Sequence, residues 1–429
     1  MVHNELRSLI NYSCAADVPV RRIPQRNRRK RTYADHRKPL FKKVKWHQRL
    51  LIGLLVIVPL AFSCSHKYRL TDEQASRPSS WPFHRRNLES QGSISQGVFN
   101  GKLDIIWEHK RGEKPAGPLS VHHGSLVYPG TRNKIRFYDG LTGKEQSFIK
   151  SHGTAQTGVA VRDSLAFFAT SPRKSWLRCV SLRSGKQLWK QYIKDAAAGS
   201  IIVDNKLLIS STEGKLMAYH PEDGTLIWTF EAEGGFVAPP SFANGRVFQP
   251  CDNGTLYVIS PTDGSELYRI EVDGPLVSAV AISTMVFATD MYGYVYGIEP
   301  EDGRIVWKSE LDGPVWTTPA IANGRLFVGH SGGELAALDA DDGKIQWSFD
   351  ANEVIKASAT VVGSYVLVGT MGGKLFSLDA ADGRLIEQRQ LNGAVAYSPV
   401  SDGDRVYVAT ELGMIICFGQ RDEHIENIN

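Results

Sequence analysis

One short motif recurs along the chain at nearly constant spacing, and this repeat limits the available folds more than any other feature. The clearest copy, residues 337–347, reads Ala-Leu-Asp-Ala-Asp-Asp-Gly-Lys-Ile-Gln-Trp. Alternating Ala336, Leu338 and Ala340 predict a strand, and the Asp-Gly pair predicts a tight turn because glycine adopts positive φ at little cost. A second strand then ends at Trp347, so each copy predicts a β-hairpin.

The spacing of the turn indicates the architecture. Its glycine recurs about every 40 residues, at Gly143, Gly185, Gly224, Gly264, Gly303, Gly343 and Gly383. Four residues later, five copies carry an aromatic side chain, at Trp189, Trp228, Tyr268, Trp307 and Trp347. The first copy has Ser147 at this position and the last has Glu387. A period near 40 residues with several strands per repeat is typical of a β-propeller blade.

Each repeat predicts four strands, labelled A to D in chain order. Residues 319–339 contain strand A, an Asn-Gly turn, strand B, a glycine-rich turn and strand C, and the Trp-bearing strand D follows. The A–B–C pattern occurs eight times, but strand D follows a turn glycine only seven times. Residues 103–109, which contain Trp107, supply the missing strand. We therefore predict an all-β, eight-bladed β-propeller of four-stranded antiparallel blades over residues 101–420, closed by its N-terminal strand and followed by a polar tail, 421–429.

The pattern Ala-x-Asp-x-x-x-Gly-x-x-x-Trp resembles the pyrroloquinoline-quinone (PQQ) repeat family of eight-bladed propellers. The resemblance covers about residues 78–420 and includes the lead-in Ser-Trp-Pro-Phe-His-Arg-Arg-Asn at residues 80–87. It implies that the strand D aromatic rings pack between neighbouring blades, which suits a large flat ring with one N–H to satisfy. The family has an enzymatic branch, the quinoprotein dehydrogenases, and a non-enzymatic branch, the BamB lipoproteins of outer-membrane β-barrel assembly.

The sequence lacks the features that the resemblance associates with the enzymatic branch. Those enzymes hold PQQ between a Trp and a disulfide of adjacent cysteines, with a calcium ion and an Asp base nearby. The five cysteines here are Cys14, Cys64, Cys179, Cys251 and Cys417, and the repeats leave no insertion that could cover a cofactor. Asp252, Asp290 and Glu411 offer carboxylates for calcium, but each lies in a short turn of a separate blade. We predict no catalytic residue, cofactor or metal ion, with a PQQ-dependent dehydrogenase as the alternative.

The N-terminal region predicts export and membrane attachment. Residues 1–49 contain 14 Lys/Arg and 3 Asp/Glu and predict a disordered basic segment, with nucleic-acid binding as the disfavoured alternative. Residues 50–64 contain an apolar run that as a helix is too short for a ~30 Å membrane core and fits a signal peptide. Leu60 to Cys64 resembles a lipobox, which predicts lipidation of Cys64; an uncleaved signal anchor is the alternative. Residues 65–100 are predicted to be a tether and lead-in, with the propeller on the periplasmic side.

The turns between strands B and C predict a contact surface divided by charge, whose alternative is a set of solvated turns. The predicted contact residues are Arg132, Arg173, Lys174, Trp176, Asp252, Asp290 and Tyr292. A Trp beside two cations in a loop is a good candidate for a protein contact. We predict a non-enzymatic, membrane-tethered scaffold in the bacterial cell envelope that binds protein partners in a BamB-like role. An envelope sensor of glycans or peptides is the alternative binding function.

Overall fold

A computed structural model describes residues 85–170, 175–196 and 199–420 of the 429-residue chain. The predicted basic segment, the signal or anchor segment, Cys64, Arg173, Lys174 and the polar tail lie outside the described residues. The described residues form strands joined by turns and irregular connections, without helices. The described residues therefore contain no helix that is long and apolar enough to span a membrane.

Two strands precede the first complete blade, β1 (Ser93–Ile94) and β2 (Ile105–Lys110). Blade 1 comprises β3 (Ser120–His122), β4 (Ser125–Pro129), β5 (Lys134–Asp139) and β6 (Glu145–Lys150). Blade 2 comprises β7 (Ala160–Arg162), β8 (Leu165–Thr170), β9 (Trp176–Ser181) and β10 (Gln187–Tyr192). Blade 3 comprises β11 (Ile201–Val203), β12 (Lys206–Ser210), β13 (Lys215–Tyr219) and β14 (Leu226–Glu231). Blade 4 comprises β15 (Ser241–Ala243), β16 (Arg246–Pro250), β17 (Thr255–Ile259) and β18 (Glu266–Glu271).

The remaining blades follow the same order. Blade 5 comprises β19 (Ala281–Ile282), β20 (Val286–Thr289), β21 (Tyr294–Ile298) and β22 (Ile305–Glu310). Blade 6 comprises β23 (Ala320–Ala322), β24 (Arg325–Gly329), β25 (Glu334–Asp339) and β26 (Ile345–Asp350). Blade 7 comprises β27 (Thr360–Val362), β28 (Tyr365–Gly369), β29 (Lys374–Asp379) and β30 (Leu385–Gln390). Blade 8 contains β31 (Val400–Ser401), β32 (Arg405–Ala409) and β33 (Met414–Gly419).

Each blade is an antiparallel sheet whose strands A to D lie side by side in chain order. Strand C is apolar on both faces, as in β17, where every residue is buried between neighbouring blades. Strand D is buried only at alternate positions, as in β22, where Trp307 faces the next blade. The all-β propeller of eight blades predicted from the repeat is confirmed.

Strand β2 completes blade 8. It pairs antiparallel with β33, with Trp107 opposite Cys417 and Lys110 opposite Met414. The inner strand of the last blade, β31, contacts the inner strand of the first, β3. The indole N–H of Trp107 also donates to the carbonyl oxygen of Gly140 in blade 1, at 2.9 Å. The two ends of the described chain therefore meet in one sheet, as the count of strands predicts.

The lead-in is more than the tether that the sequence predicts. Within it, β1 pairs in parallel with β27, with Ser93 opposite Val361, and makes blade 7 a five-stranded sheet. Residues 85–99, which we call the strap, run along the inner strands of blades 4 to 8. Backbone hydrogen bonds join it to these blades: Phe242 N to Leu88 O (2.8 Å), Ile282 N to Glu89 O (2.9 Å), Ile321 N to Gln91 O (2.8 Å), Val361 N to Gly92 O (3.1 Å) and Phe99 N to Gly403 O (3.3 Å).

The repeated Trp and Gly of the sequence meet at the contact between blades. Each aromatic of strand D donates to a carbonyl in the C–D turn of the next blade: Trp189 to Pro221, Trp228 to Pro261, Tyr268 to Pro300, Trp307 to Ala340 and Trp347 to Ala380. The turn glycine of that next blade lies against the aromatic ring, so a side chain there would overlap the indole, as at Gly343 beside Trp307.

Two blades carry no aromatic residue at this position of strand D, and they lie on either side of blade 8, where the propeller closes. The carboxylate of Glu387 accepts from Leu103 N at 2.9 Å, and the buried Ser147 hydroxyl has no partner in the described part of the chain.

Two glycines separate the effect of this contact from that of backbone conformation. Gly343 and Gly324 have φ of 73° and 72°, but only Gly343 lies against a neighbouring side chain, since nothing lies within 4 Å of a Cβ at Gly324. We expect Gly324→Ala to lower the free energy of unfolding by ~1 kcal/mol through backbone strain. Gly343→Ala should cost ~1–3 kcal/mol more, because the added methyl group displaces the Trp307 ring. Urea denaturation of both variants measures the difference in their free energies of unfolding. Equal denaturation midpoints would show that the Trp307 ring moves aside without cost.

Candidate functional site

A cavity of about 220 Å³ lies at the centre of the ring, where the D–A connections enter the inner strands. Every blade contributes to its wall. Its polar and aromatic wall residues include Gln156, Thr157, Trp316, Lys356, Ser358 and Tyr397. The B–C turns lie on the same side of the ring as the D–A connections, because Met371 N donates to Val354 O (2.9 Å) and Glu411 N to Ala394 O (3.0 Å). We call this side the mouth face.

The wall combines a cation with aromatic rings. Lys356 is exposed, and its ammonium group lies 5.3 Å from the centre of the half-buried Trp316 ring. Val237, Val277 and Ala396 occupy the corresponding wall positions of blades 4, 5 and 8. No carboxylate lines the cavity among the described residues. The cavity therefore presents positive charge, hydroxyl groups and flat apolar surface.

The strap lies at the far end of this cavity. Each inner strand begins at the mouth face with residues that line the cavity, such as Ser358. Farther along the same strand, residues such as Val361 contact the strap. At the same level, Val121 and Val161 of blades 1 and 2 are fully or nearly fully buried. The cavity is therefore closed at this end and open at the mouth face.

Arg85 of the strap is the most unusual side chain near the cavity. It is 1% exposed, and its guanidinium donates to Ala359 O at 2.7 Å and to Pro319 O at 3.4 Å. These carbonyls directly follow the wall residues Ser358 and Thr318. The Nε–H has no partner among the described residues. Burial lowers the pKa of Arg85 to about 9 because it removes water from the charged form. The group still carries its charge at neutral pH, without a carboxylate partner in the described part of the chain.

The residues present do not fit a metal-bound quinone, the group that the dehydrogenase branch of the fold implies. Calcium requires several oxygen ligands, mostly carboxylates, and the cavity wall has none. Asp290 is fully buried, with Oδ1 accepting from Tyr292 N and Tyr294 N at 2.9 Å and Oδ2 accepting from Tyr296 OH at 2.8 Å. Asp252 accepts from Gly235 N at 2.6 Å. No three His, Cys, Asp or Glu side chains of the described ranges are grouped to hold a metal ion.

The predicted contact residues that the structure describes lie at different depths. Tyr292 is 59% exposed, Arg132 is exposed and donates to Gly112 O (3.1 Å), and Asp252 is half-buried. Trp176 is half-buried, with Lys190 4.6 Å from its ring centre. Asp290, which the sequence predicts to contribute to a contact surface, is fully buried, and its carboxylate holds the B–C turn from the inside. The short polar turn gives no sign of this burial.

Sequence reasoning missed the three side chains that characterise the cavity, Arg85, Trp316 and Lys356. A signal for two of them exists in the repeat. The position that carries Trp316 and Lys356 in blades 6 and 7 carries aliphatic residues in blades 4, 5 and 8. A comparison of the D–A connections, rather than of the B–C turns, finds this departure. Arg85 has no such signal because it precedes the repeats.

The family follows from the repeats themselves. A family model described as "Outer membrane protein assembly factor BamB" matches residues 173–284 and 252–427, more than half of the chain. The chain belongs to this family. The match includes blades 3 to 7 and strands A to C of blade 8.

Similar proteins of the same fold include a BamB and several alcohol dehydrogenases. BamB from Moraxella catarrhalis is similar with a TM-score of 0.64 and 15% identity, over 74% of this chain and 100% of that one. Quinohemoprotein alcohol dehydrogenase from Comamonas testosteroni is similar with a TM-score of 0.68 and 13% identity, over 81% and 82%. The quinoprotein alcohol dehydrogenase PedH of Pseudomonas putida is 28% identical over 154 residues, 30% of this chain and 25% of PedH. The chain spans a quarter or less of the length of the curated relatives it matches. The BamB family and the quinoprotein dehydrogenases thus share this propeller fold.

Proposed function

We propose that this BamB-family chain is a non-enzymatic scaffold that binds a protein partner of the bacterial cell envelope through its mouth face. The observation that carries the proposal is a group of exposed apolar side chains on that face. Tyr292 is 59% exposed, Leu412 56% and Val354 38%, and they belong to blades 5, 8 and 7. Large apolar side chains exposed on one face mark protein contact sites, particularly where aromatic rings take part.

These three residues surround the cationic cavity on the side of blades 5 to 8. Leu412 lies beside Gly393 of the D–A connection, and Tyr292 lies beside Gly274 of the connection before its own blade. Trp316 and Tyr397, both half-buried, lie in the cavity wall of blades 6 and 8. We call Tyr292, Val354 and Leu412 the apolar sector. A partner that covers this sector also covers the cavity.

The cellular setting is part of the same proposal. The apolar run at residues 50–64 and the lipobox-like Cys64 support export and attachment to a membrane, with the propeller on the periplasmic side. A role in outer-membrane protein assembly rests on membership of the BamB family. The dehydrogenase alternative is less well supported, because the cavity wall offers no carboxylate to a metal-bound quinone.

Cross-linking in the native envelope tests the proposal. Wild type and a Tyr292→Asp/Leu412→Asp double variant are cross-linked in cells, purified and analysed by mass spectrometry. Two buried charges in a contact of this kind should lower partner recovery about tenfold or more. Leu226→Asp is the matched control, since Leu226 is 55% exposed on β14 at the outer rim of blade 3.

Partners of the outer-membrane barrel-assembly machinery, lost from the double variant alone, support the proposed role. Glycans or unrelated proteins as the only partners contradict it. Equal loss from the Leu226→Asp control shows that the mouth face is not the contact surface. Alcohol oxidation by the purified chain with added PQQ and calcium would overturn the non-enzymatic assignment.

A further inference from the structure

We propose that the central cavity binds the C-terminal carboxylate of a polypeptide partner. This inference rests on the proposed function, since it assigns a ligand to the cavity inside the partner-binding face. Three independent features determine the ligand: the shape of the cavity, the sign of its charge and the nature of its wall.

The shape favours the end of a chain. The strap and the buried inner strands close the far end, so a polypeptide cannot pass through the ring. At about 220 Å³ the cavity is smaller than the ~300–1,000 Å³ of pockets for drug-sized ligands. It therefore fits one or two residues and excludes a folded element. A partner that reaches into it from the mouth face must do so with a terminus or a single side chain.

The charge favours a carboxylate over an ammonium group. Lys356 lies at the mouth and Arg85 directly behind the wall at the closed end. A buried guanidinium normally has an anionic partner, because removing a charge from water is unfavourable unless another charge or several hydrogen bonds replace the water. Among the described residues, the guanidinium of Arg85 donates to two carbonyl oxygens and its Nε–H has no partner. An anion that enters the cavity reduces this cost by its charge.

The backbone at Arg85 adopts a conformation that its residue type disfavours, so tertiary contacts hold it in place. Arg85 and Arg86 have φ of 63° and 81°, a region that side chains other than glycine seldom adopt. The guanidinium is nevertheless kept at the closed end by its bonds to two different blades. The wall supplies the remaining specificity. Trp316 and Tyr397 offer rings against which a flat or apolar last side chain can pack.

Peptide binding tests the inference directly. The probes are fluorescein-labelled Gly-Ser-Gly-Ser-Gly-Phe with a free C-terminal carboxylate and the same peptide with a C-terminal amide. Fluorescence anisotropy with the purified full chain should give a Kd about tenfold or more lower for the carboxylate, the effect of a charge-assisted hydrogen bond. Lys356→Gln should weaken the carboxylate peptide about tenfold and leave the amide unchanged. Lys194→Gln is the matched control, because Lys194 lies on a D–A connection outside the cavity wall.

Arg85 needs a variant that keeps the strap in place. Arg85→Lys retains the charge and Arg85→Met removes it, and the thermal transition of each is measured beside peptide binding. Selective loss of the carboxylate peptide by folded Arg85→Met, with partial retention by Arg85→Lys, supports the inference. If Arg85→Met does not fold, the Lys356→Gln comparison alone decides.

Three results would overturn the inference. Equal affinity for carboxylate and amide shows that no terminus is recognised. Binding of citrate or inorganic phosphate as tightly as the peptide shows a site for small anions instead. An unchanged Kd for the carboxylate peptide with Lys356→Gln places its binding elsewhere. If any of these results is obtained while the Tyr292→Asp/Leu412→Asp double variant still recovers less partner in cross-linking, the carboxylate site in the cavity is wrong and the proposed function is supported independently.

Discussion

Deletion of residues 65–110 is expected to make the chain aggregate and to abolish its cooperative thermal transition. The deletion removes β2, so the apolar strand β33 loses its outer neighbour and exposes a row of unpaired backbone groups. It also removes Trp107 from the contact with blade 1, a loss of ~3–5 kcal/mol for a large core aromatic. This is comparable to the ~5–15 kcal/mol by which most folded proteins are stable.

Shorter deletions separate the strap from the closing strand. Deletion of 65–100 keeps β2 and removes the strap together with the segment before it, and we expect a folded, non-aggregating chain with a lower melting temperature. Deletion of 421–429 should change little, since β33 ends at Gly419. Light scattering after size exclusion and thermal unfolding measure all three. A monomeric 65–110 deletion that melts with wild type would mean that β2 contributes nothing to closure.

The blades could be predicted from the sequence because their signals are local. An Asp-Gly turn, an Asn-Gly turn and alternating apolar residues each act within about ten residues, and the repeat multiplies the signal. Asn323 and Gly324 illustrate this, with φ of 51° and 72° in the tight A–B turn that the pair predicts. Counting strands then required only the rule that an apolar sheet edge needs a neighbour.

The strap could not be predicted because its contacts are distant in sequence and made by the backbone. Leu88 O accepts from Phe242 N, 154 positions later in the chain. Because a backbone hydrogen bond does not require particular side chains, it leaves no pattern in the sequence. The same limit applies to Arg85, whose partners are the carbonyls of Pro319 and Ala359. The cavity that these contacts close is for that reason visible only in the folded chain.

The exposure of the B–C turn residues could not be predicted one by one, because burial within a short turn depends on hydrogen bonds that side-chain type does not reveal. Asp290 and Tyr292 are two residues apart, yet one is fully buried and the other 59% exposed. The Asp290 carboxylate replaces water with two backbone N–H groups and the Tyr296 hydroxyl. The aromatic ring beside it has no such partners to bury it and remains at the mouth face. The exposed part of this turn is therefore more apolar than its charges predict.

Replacement of Trp307 by Ala is expected to destabilise the contact between blades 5 and 6 strongly. Trp307 is 9% exposed, its indole N–H donates to Ala340 O at 3.1 Å, and its ring lies against Phe287 with centres 5.9 Å apart. Truncation leaves a cavity between blades 5 and 6 and an unpaired carbonyl, for a loss of ~3–5 kcal/mol in the free energy of unfolding.

Trp347→Ala is the matched comparison, because Trp347 has the same place in blade 6 but is half-buried and donates over 3.4 Å to Ala380 O. Its truncation should therefore cost less, ~2 kcal/mol, in the lower part of the range for large core residues. The ring should close in both variants, since blades 1 and 7 already carry Ser147 and Glu387 at this position. Urea denaturation followed by near-ultraviolet circular dichroism measures the two losses. Trp307 is both more deeply buried and more closely hydrogen-bonded than Trp347. If Trp347→Ala lowers the free energy of unfolding as much as Trp307→Ala or more, ring contacts rather than burial and hydrogen bonding determine the strength of the blade interface.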